Sequence, residues 1–285
     1  MSIVVTGATG HLGRHVVEAL LGRGVPAAGI VATGRNLDAI ADLAARGVTV
    51  RRADFDDPAS LKDAFAGADK VLLVSASEVG KRVPQHRNAI DAAKEAGVSL
   101  LAYTSAPKAD DTPLLLAAEH RATEEHLRAS GVPAVILRNS WYFEVYTAQI
   151  ATQLEHGAVT GAAGSGRFTP AARRDYAEAA AAVLVAPDQA GRVYELGGDT
   201  AITLADYAAE VARQSGRPVT YQNLPVEAYT RMLEGFGLPT PVAEVIADAD
   251  AGIERGDLIS DDGSLSRLIG RPTTTLAEAV GAALS

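Results

Sequence analysis

Three glycines near the start of this chain are spaced to handle phosphate. The run Thr6-Gly7-Ala8-Thr9-Gly10-His11-Leu12-Gly13 lies between an apolar segment, Ile3-Val4-Val5, and a helical pattern at Leu12, Val16, Val17, Leu20 and Leu21. Gly7 permits a sharp turn off a strand. Gly10 lets backbone approach a pyrophosphate with no Cβ in the way, and Gly13 lets the following helix pack close to the sheet. That helix points its N-terminal N–H groups and positive dipole end at the anion. Strand, turn and helix in this order are the context that a dinucleotide fingerprint requires.

Other candidate residues stand at the ends of later apolar runs. Ile30-Val31-Ala32-Thr33 reads as a second strand ending in Gly34-Arg35-Asn36. An acid there would accept from a ribose 2′-OH, whereas an arginine suits a 2′-phosphate. The residue is Arg35, so NADPH is favoured over NADH. Val48 to Arg52 alternates as a third strand and delivers Asp54 and Phe55, placed to lie beside the adenine. Lys70 to Val74 is a nearly continuous apolar strand ending in Ser75-Ala76-Ser77, small polar residues where the nicotinamide half would pass. A fifth strand ends at Thr104-Ser105, and a sixth delivers Arg138-Asn139-Ser140-Trp141-Tyr142.

Helical patterns separate these strands: Leu37 to Arg46, Pro58 to Phe65, Val83 to Ala96 and Leu116 to Ser130. The alternation predicts an α/β fold, a doubly wound parallel Rossmann sheet, with the strand tips along one edge. Thr6, Arg35, Ser75, Ser105 and Asn139 are thereby expected to converge. Beyond Tyr146 the pattern changes. Gly157 to Gly166 reads as a loop that is not regular structure throughout, Arg173 opens a helix, and Arg192 to Leu196 is a late strand. The rest is mostly helical, interrupted by a short strand at Val219-Thr220-Tyr221. The expected division is a NAD(P)-binding domain over 1–156, with 173–197 returning to it, and a smaller, mainly helical substrate or lid domain over 157–285.

Composition narrows the function classes. A net charge of -9 over 285 residues argues against nucleic acid as a partner, and the absence of cysteine excludes disulfides and thiolate chemistry. No signal peptide precedes the first strand, and the most apolar later stretch, Ala179 to Ala186, is too short for membrane insertion. The expectation is a soluble, cytoplasmic protein. His11 and His15 share a helix face but have no carboxylate placed to complete a metal site, so no metal is expected. Ser75, Ser77 and Ser105 lack the Gly-x-Ser-x-Gly elbow of a hydrolase. Asp110-Asp111, Asp248, Asp250 and Asp261-Asp262 read as solvated turn or helix-start acids.

Taken together, the fingerprint, Arg35-Asn36, Ser75 to Gly80, Pro84-Gln85-His86-Arg87-Asn88, Arg138 to Tyr142, Tyr176 to Ala181 and the tail Leu268 to Leu276 occur in the order of one group. The chain resembles the NmrA-like, atypical short-chain dehydrogenase family. Within it, the chain is similar to the flavin-independent NAD(P)H:quinone oxidoreductases of type 2, with triphenylmethane reductases as relatives of different substrate. The resemblance implies NADPH bound through Thr6, Gly7, Ala8, Thr9, Gly10, His11, Leu12, Gly13, Arg35, Ser75, Ala76, Ser77, Asn139, Trp141, Tyr142, Glu144 and Arg173. It also implies hydride transfer to a small-molecule quinone or planar aromatic acceptor without flavin. A homodimer is allowed.

The Tyr-x-x-x-Lys pair of many short-chain dehydrogenases would fall near Leu116 and His120, and neither residue type is there. A quinone needs less help from a proton donor than an ordinary ketone, because charge in the reduced ring is delocalised. Tyr142, Tyr103 and His120 are the candidate substrate contacts. The competing readings are a dye reductase and an NADP(H)-binding redox sensor that acts through a protein partner. Small residues at Ser75-Ala76 and Gly161-Ala162-Ala163-Gly164 are expected to leave an open slot, which favours an enzyme.

Overall fold

Short runs rich in β-branched and aliphatic residues, buried on both faces, build the central strands of the sheet in the computed structural model, which describes residues 1–285. In chain order the elements are β1 (Ile3–Val5), α1 (His11–Gly22), β2 (Ile30–Gly34), α2 (Ala41–Ala45), β3 (Thr49–Arg52), α3 (Pro58–Phe65), β4 (Lys70–Leu73) and α4 (Arg82–Glu95). They continue with β5 (Leu100–Ser105), α5 (Leu115–Ser130), β6 (Ala134–Asn139), α6 (Glu144–Thr147), α7 (Ile150–His156), β7 (Ala158–Gly161), α8 (Arg173–Val185) and β8 (Val193–Leu196). The last are α9 (Leu204–Ser215), β9 (Thr220–Asn223), α10 (Val226–Gly235), α11 (Thr240–Arg255), α12 (Ser264–Ile269) and α13 (Leu276–Leu284).

Seven strands form the main sheet in the order β3-β2-β1-β4-β5-β6-β8. The pairings from β3 through β6 are parallel, as the alternation of strands and helices requires. Order reverses between β1 and β4, so the crevice for a ligand opens at the carboxyl ends of those strands. On one face, Leu61, Phe65, Ala89, Ile90 and Ala93 pack against Val4, Val71, Leu101 and Tyr103. On the other, α1 packs on the alanine-rich α8, where Ala177 and Ala179 to Ala182 are all buried.

The chain divides into two compact units. One contains Met1–Ala106, Glu119–Asn139 and Arg173–Tyr194; the other contains Pro107–Ala118, Ser140–Ala172 and Glu195–Ser285. The second unit has its own core, with Tyr146, Phe168, Leu204, Tyr207 and Val211 at its centre. Capping boxes begin two of its helices, Thr203 with Asp206 on α9 and Thr275 with Glu278 on α13. No helix is long and apolar enough to cross a membrane.

Several local expectations are corrected. Gly157 to Gly166 is not regular throughout, but its Ala158–Gly161 part is β7, which pairs in parallel with β9 in a separate two-stranded sheet. The two alanines of Gly161-Ala162-Ala163-Gly164 are enclosed, so they border no open slot. Ala162 and Ala163 are buried, and a Cβ on Gly161 would stand 2.6 Å from Asp250 Oδ2. Asp248 and Asp250 lie within α11, neither at its start nor in a turn. Asp248 accepts the N–H of Leu115, and the buried Asp250 accepts the N–H of Ala162 at 2.8 Å. Burial pushes the Asp250 carboxyl up to about 6.

Candidate functional site

A cleft of about 420 Å³ lies at the carboxyl ends of β1, β2, β3 and β4, within the first unit. Its floor is the glycine turn. Gly7 has φ +61, a left-handed conformation natural to glycine, and its carbonyl accepts the N–H of Gly10 at 2.9 Å. A Cβ on Gly13 would collide with the Gly7 carbonyl and stand 2.7 Å from Gly7 C and 2.9 Å from Ala8 N. Gly34 is confined by a side chain, because a Cβ there would stand 2.8 Å from Thr9 Oγ1. Gly10 caps α1 without any side-chain hydrogen bond, so the first-turn N–H groups have no side-chain acceptor at the cap. Gly10, His11, Leu12 and Gly13 line the cleft, which makes this end of α1 a cradle for a bridging diphosphate.

The segment after β4 forms another wall, and side chains hold three of its successive N–H groups. Val74 donates to Thr6 Oγ1, Ser75 to Thr104 Oγ1 and Ala76 to His86 Nε2, each at 2.9 Å. His86 is an acceptor at Nε2, so as a neutral ring it carries its proton on Nδ1. It donates from there to Thr123 Oγ1 at 2.9 Å, and Thr123 donates onward to the Glu119 carbonyl. Burial drives His86 down to about 3, with the nearby Arg82 charge adding to the effect. Its neutral form is therefore the one that serves at neutral pH. Arg82 Nε also donates to the Ala76 carbonyl, so Ala76 is held at both its N–H and its C=O, which fixes the two successive peptides.

The third wall carries Asp54 and Phe55. Asp54 accepts the N–H of Asp56 and stands 3.9 Å from Arg52, while the Phe55 carbonyl accepts from Asn88 Nδ2. Gln85 donates to both Asp56 carboxylate oxygens, each at 3.2 Å, and its Oε1 is buried without a partner. The Gln85-His86-Asn88 stretch of α4 thus braces two walls at once. Arg35 extends from the end of β2 with its side chain 67% exposed and faces Glu78 at 3.5 Å; both line the cleft, as does Arg173.

Of the residues expected to converge, Thr6, Arg35 and Ser75 line the cleft, with the whole fingerprint except Ala8, and with Ala76 and Ser77. Ala8 is buried beneath the turn and donates its N–H to the Thr33 carbonyl. Ser105 and Asn139 are not in its lining. Ser105 donates to Glu124 Oε1 at 2.6 Å, so that hydroxyl is committed to the fold. Tyr103 and His120 are buried and meet each other, with the hydroxyl 2.7 Å from Nδ1. Burial raises the Tyr103 phenol and lowers the His120 imidazole, keeping both neutral. Trp141, Tyr142 and Glu144 belong to the second unit, where the Trp141 carbonyl accepts the N–H of Ala171. Sequence patterning did not reveal Gly34, Glu78, Gln85 or His86 as parts of the site. Glu78 stands in the Ser75 to Gly80 motif and Gln85 and His86 in the Pro84 to Asn88 motif, to which spacing alone assigns no such role.

Comparison with known proteins agrees with this geometry. The chain is 52% identical over 278 residues to quinone oxidoreductase 2 of Escherichia coli, covering 98% of this chain and 97% of the relative. The structure of the E. coli NADPH-dependent quinone oxidoreductase complexed with NADPH superposes with a TM-score of 0.95 at 51% identity, covering 99% of this chain and 100% of that one. Citrobacter triphenylmethane reductase complexed with NADP(H) gives a TM-score of 0.90 at 35% identity, with 99% and 100% covered. The model of the NmrA-like family matches residues 1–256. By these measures the chain belongs to the NmrA-like family.

Proposed function

We propose that this protein is an NADPH-dependent oxidoreductase that reduces a quinone by direct hydride transfer, without flavin. The observation that carries the reading is the cleft, where a glycine cradle at the uncapped start of α1 and the exposed Arg35 border the same space. Likeness to the E. coli quinone oxidoreductase over nearly the whole chain supports it and favours quinones over dyes as acceptors.

Bound in this cleft, NADPH would supply the hydride. The N–H groups at the start of α1 would hold the diphosphate, and Arg35 the 2′-phosphate. Asp54 and Phe55 would flank the adenine. The segment Ser75-Ala76-Ser77, fixed by Thr104, His86 and Arg82, would hold the nicotinamide side in one orientation. No tyrosine–lysine pair stands on α5, so reduction of an acceptor whose charge is delocalised fits this chain better than reduction of an isolated ketone.

Arg35→Ala should weaken NADPH binding by about ten- to hundredfold, the loss expected for a charge-assisted contact. NADH binding should change far less. Titration of both cofactors by nicotinamide fluorescence measures this, and equal losses for the two would remove Arg35 from the 2′-phosphate site. The activity itself is tested by NADPH consumption on addition of a benzoquinone to flavin-free protein.

A further inference from the structure

The guanidinium assigned to the 2′-phosphate already has an anionic neighbour. Arg35 Nη1 lies 3.5 Å from Glu78 Oε1, although the two residues are 43 positions apart and reach the cleft from different strand ends. Glu78 Oε2 accepts from Lys81 Nζ at 3.0 Å. The Lys81 contact, with a smaller contribution from Arg35, holds the Glu78 carboxyl below its usual range, so it is ionised at neutral pH. An acid was not expected here from the end of β2 itself, because Gly34-Arg35-Asn36 contains none. The fold brings one in from the segment after β4.

A 2′-phosphate and the Glu78 carboxylate are anions seeking the same cation. We infer that Glu78 competes with the cofactor's 2′-phosphate for Arg35 and so limits the preference for NADPH over NADH, an inference that rests on the NADPH reading above. The geometry suits an exchange. The Arg35 contact is the longer of the two, and Lys81 remains on the carboxylate when Arg35 turns to the phosphate, so Glu78 keeps a counter-ion. With NADH there is no phosphate to take Arg35, and the carboxylate offers an acceptor suited to a ribose 2′-OH. A residue of this kind makes the choice of cofactor a balance set by two charges.

Glu78→Gln removes the competing charge and keeps the side-chain shape. It should tighten NADPH binding by about two- to fivefold, the scale of an exposed charge pair, while NADH binding stays the same or weakens. The gain should shrink at high salt, because both groups are exposed. In an Arg35→Ala background most of the gain should vanish, since the contested cation is gone. Fluorescence titration with NADPH and NADH reads all of these without turnover. An unchanged or lower NADPH:NADH affinity ratio in Glu78→Gln, or a full gain without Arg35, overturns the competition while leaving the NADPH reading intact. Failure of the wild-type protein to bind NADPH overturns both.

Discussion

Glu124→Ala is expected to destabilise the protein by about 3–5 kcal/mol, the scale for removing one member of a buried ion pair. The Glu124 side chain is 1% exposed and the Arg138 side chain 5%, and their closest contact is 2.7 Å. Arg138 Nε donates to Glu124 Oε1, Arg138 Nη2 and Arg128 Nη2 donate to Oε2, and Ser105 adds its hydroxyl to Oε1. One carboxylate therefore ties α5 to the ends of β5 and β6. Alanine takes away the charge that compensates a buried guanidinium and the acceptor that Ser105 uses. Glu124→Gln keeps an acceptor and the volume, so it should lose less. Thermal and urea unfolding followed by circular dichroism would measure both. A loss below about 1 kcal/mol for alanine would mean that the site relaxes or admits water more freely than its burial implies.

Gly13→Ala should damage the site more than the fold. The added Cβ meets only backbone, the carbonyl of Gly7 and the nitrogen of Ala8, and neither can swing aside as a side-chain tip could. The turn must open or α1 must back away, at an expected cost of roughly 1–3 kcal/mol in stability. Because the same atoms form the diphosphate cradle, NADPH affinity should fall by about a hundredfold, the upper end of that strain expressed as binding. Gly22 provides the internal comparison. It ends the same helix with nothing within 4 Å of its added Cβ, so Gly22→Ala should leave binding unchanged and stability equal or slightly higher. Similar behaviour of the two variants would contradict the steric account.

What the sequence revealed was local. The fingerprint, the strand ends at Arg35, Asp54 and Ser75, and the alternation that sets the sheet all depend on spacing within one strand–helix unit. What it hid depends on contacts between distant segments. Glu78 meets Arg35, and His86 meets Ala76, only after the chain has folded. Tyr103 looked available because a strand covered on both faces gives no alternation to show which side chains are enclosed, and His120 because one histidine on a helix does not reveal that its face packs against that strand. Asp250 looked solvated because acids in helices usually are, yet it accepts the backbone N–H of Ala162 in a buried setting. β7 escaped because a short strand of small and polar residues, Ala-Val-Thr-Gly, carries almost no periodic signal, whereas its partner β9 was legible in Val219-Thr220-Tyr221.

The most direct test of the central claim is the rate of NADPH oxidation by flavin-free protein given a benzoquinone or naphthoquinone, with malachite green measured alongside. Quinone-dependent turnover that exceeds the dye rate, needs no added flavin and is faster with NADPH than with NADH is the predicted result. Tight NADPH binding with no reduction of either acceptor would contradict it and point to a cofactor sensor that works through a protein partner.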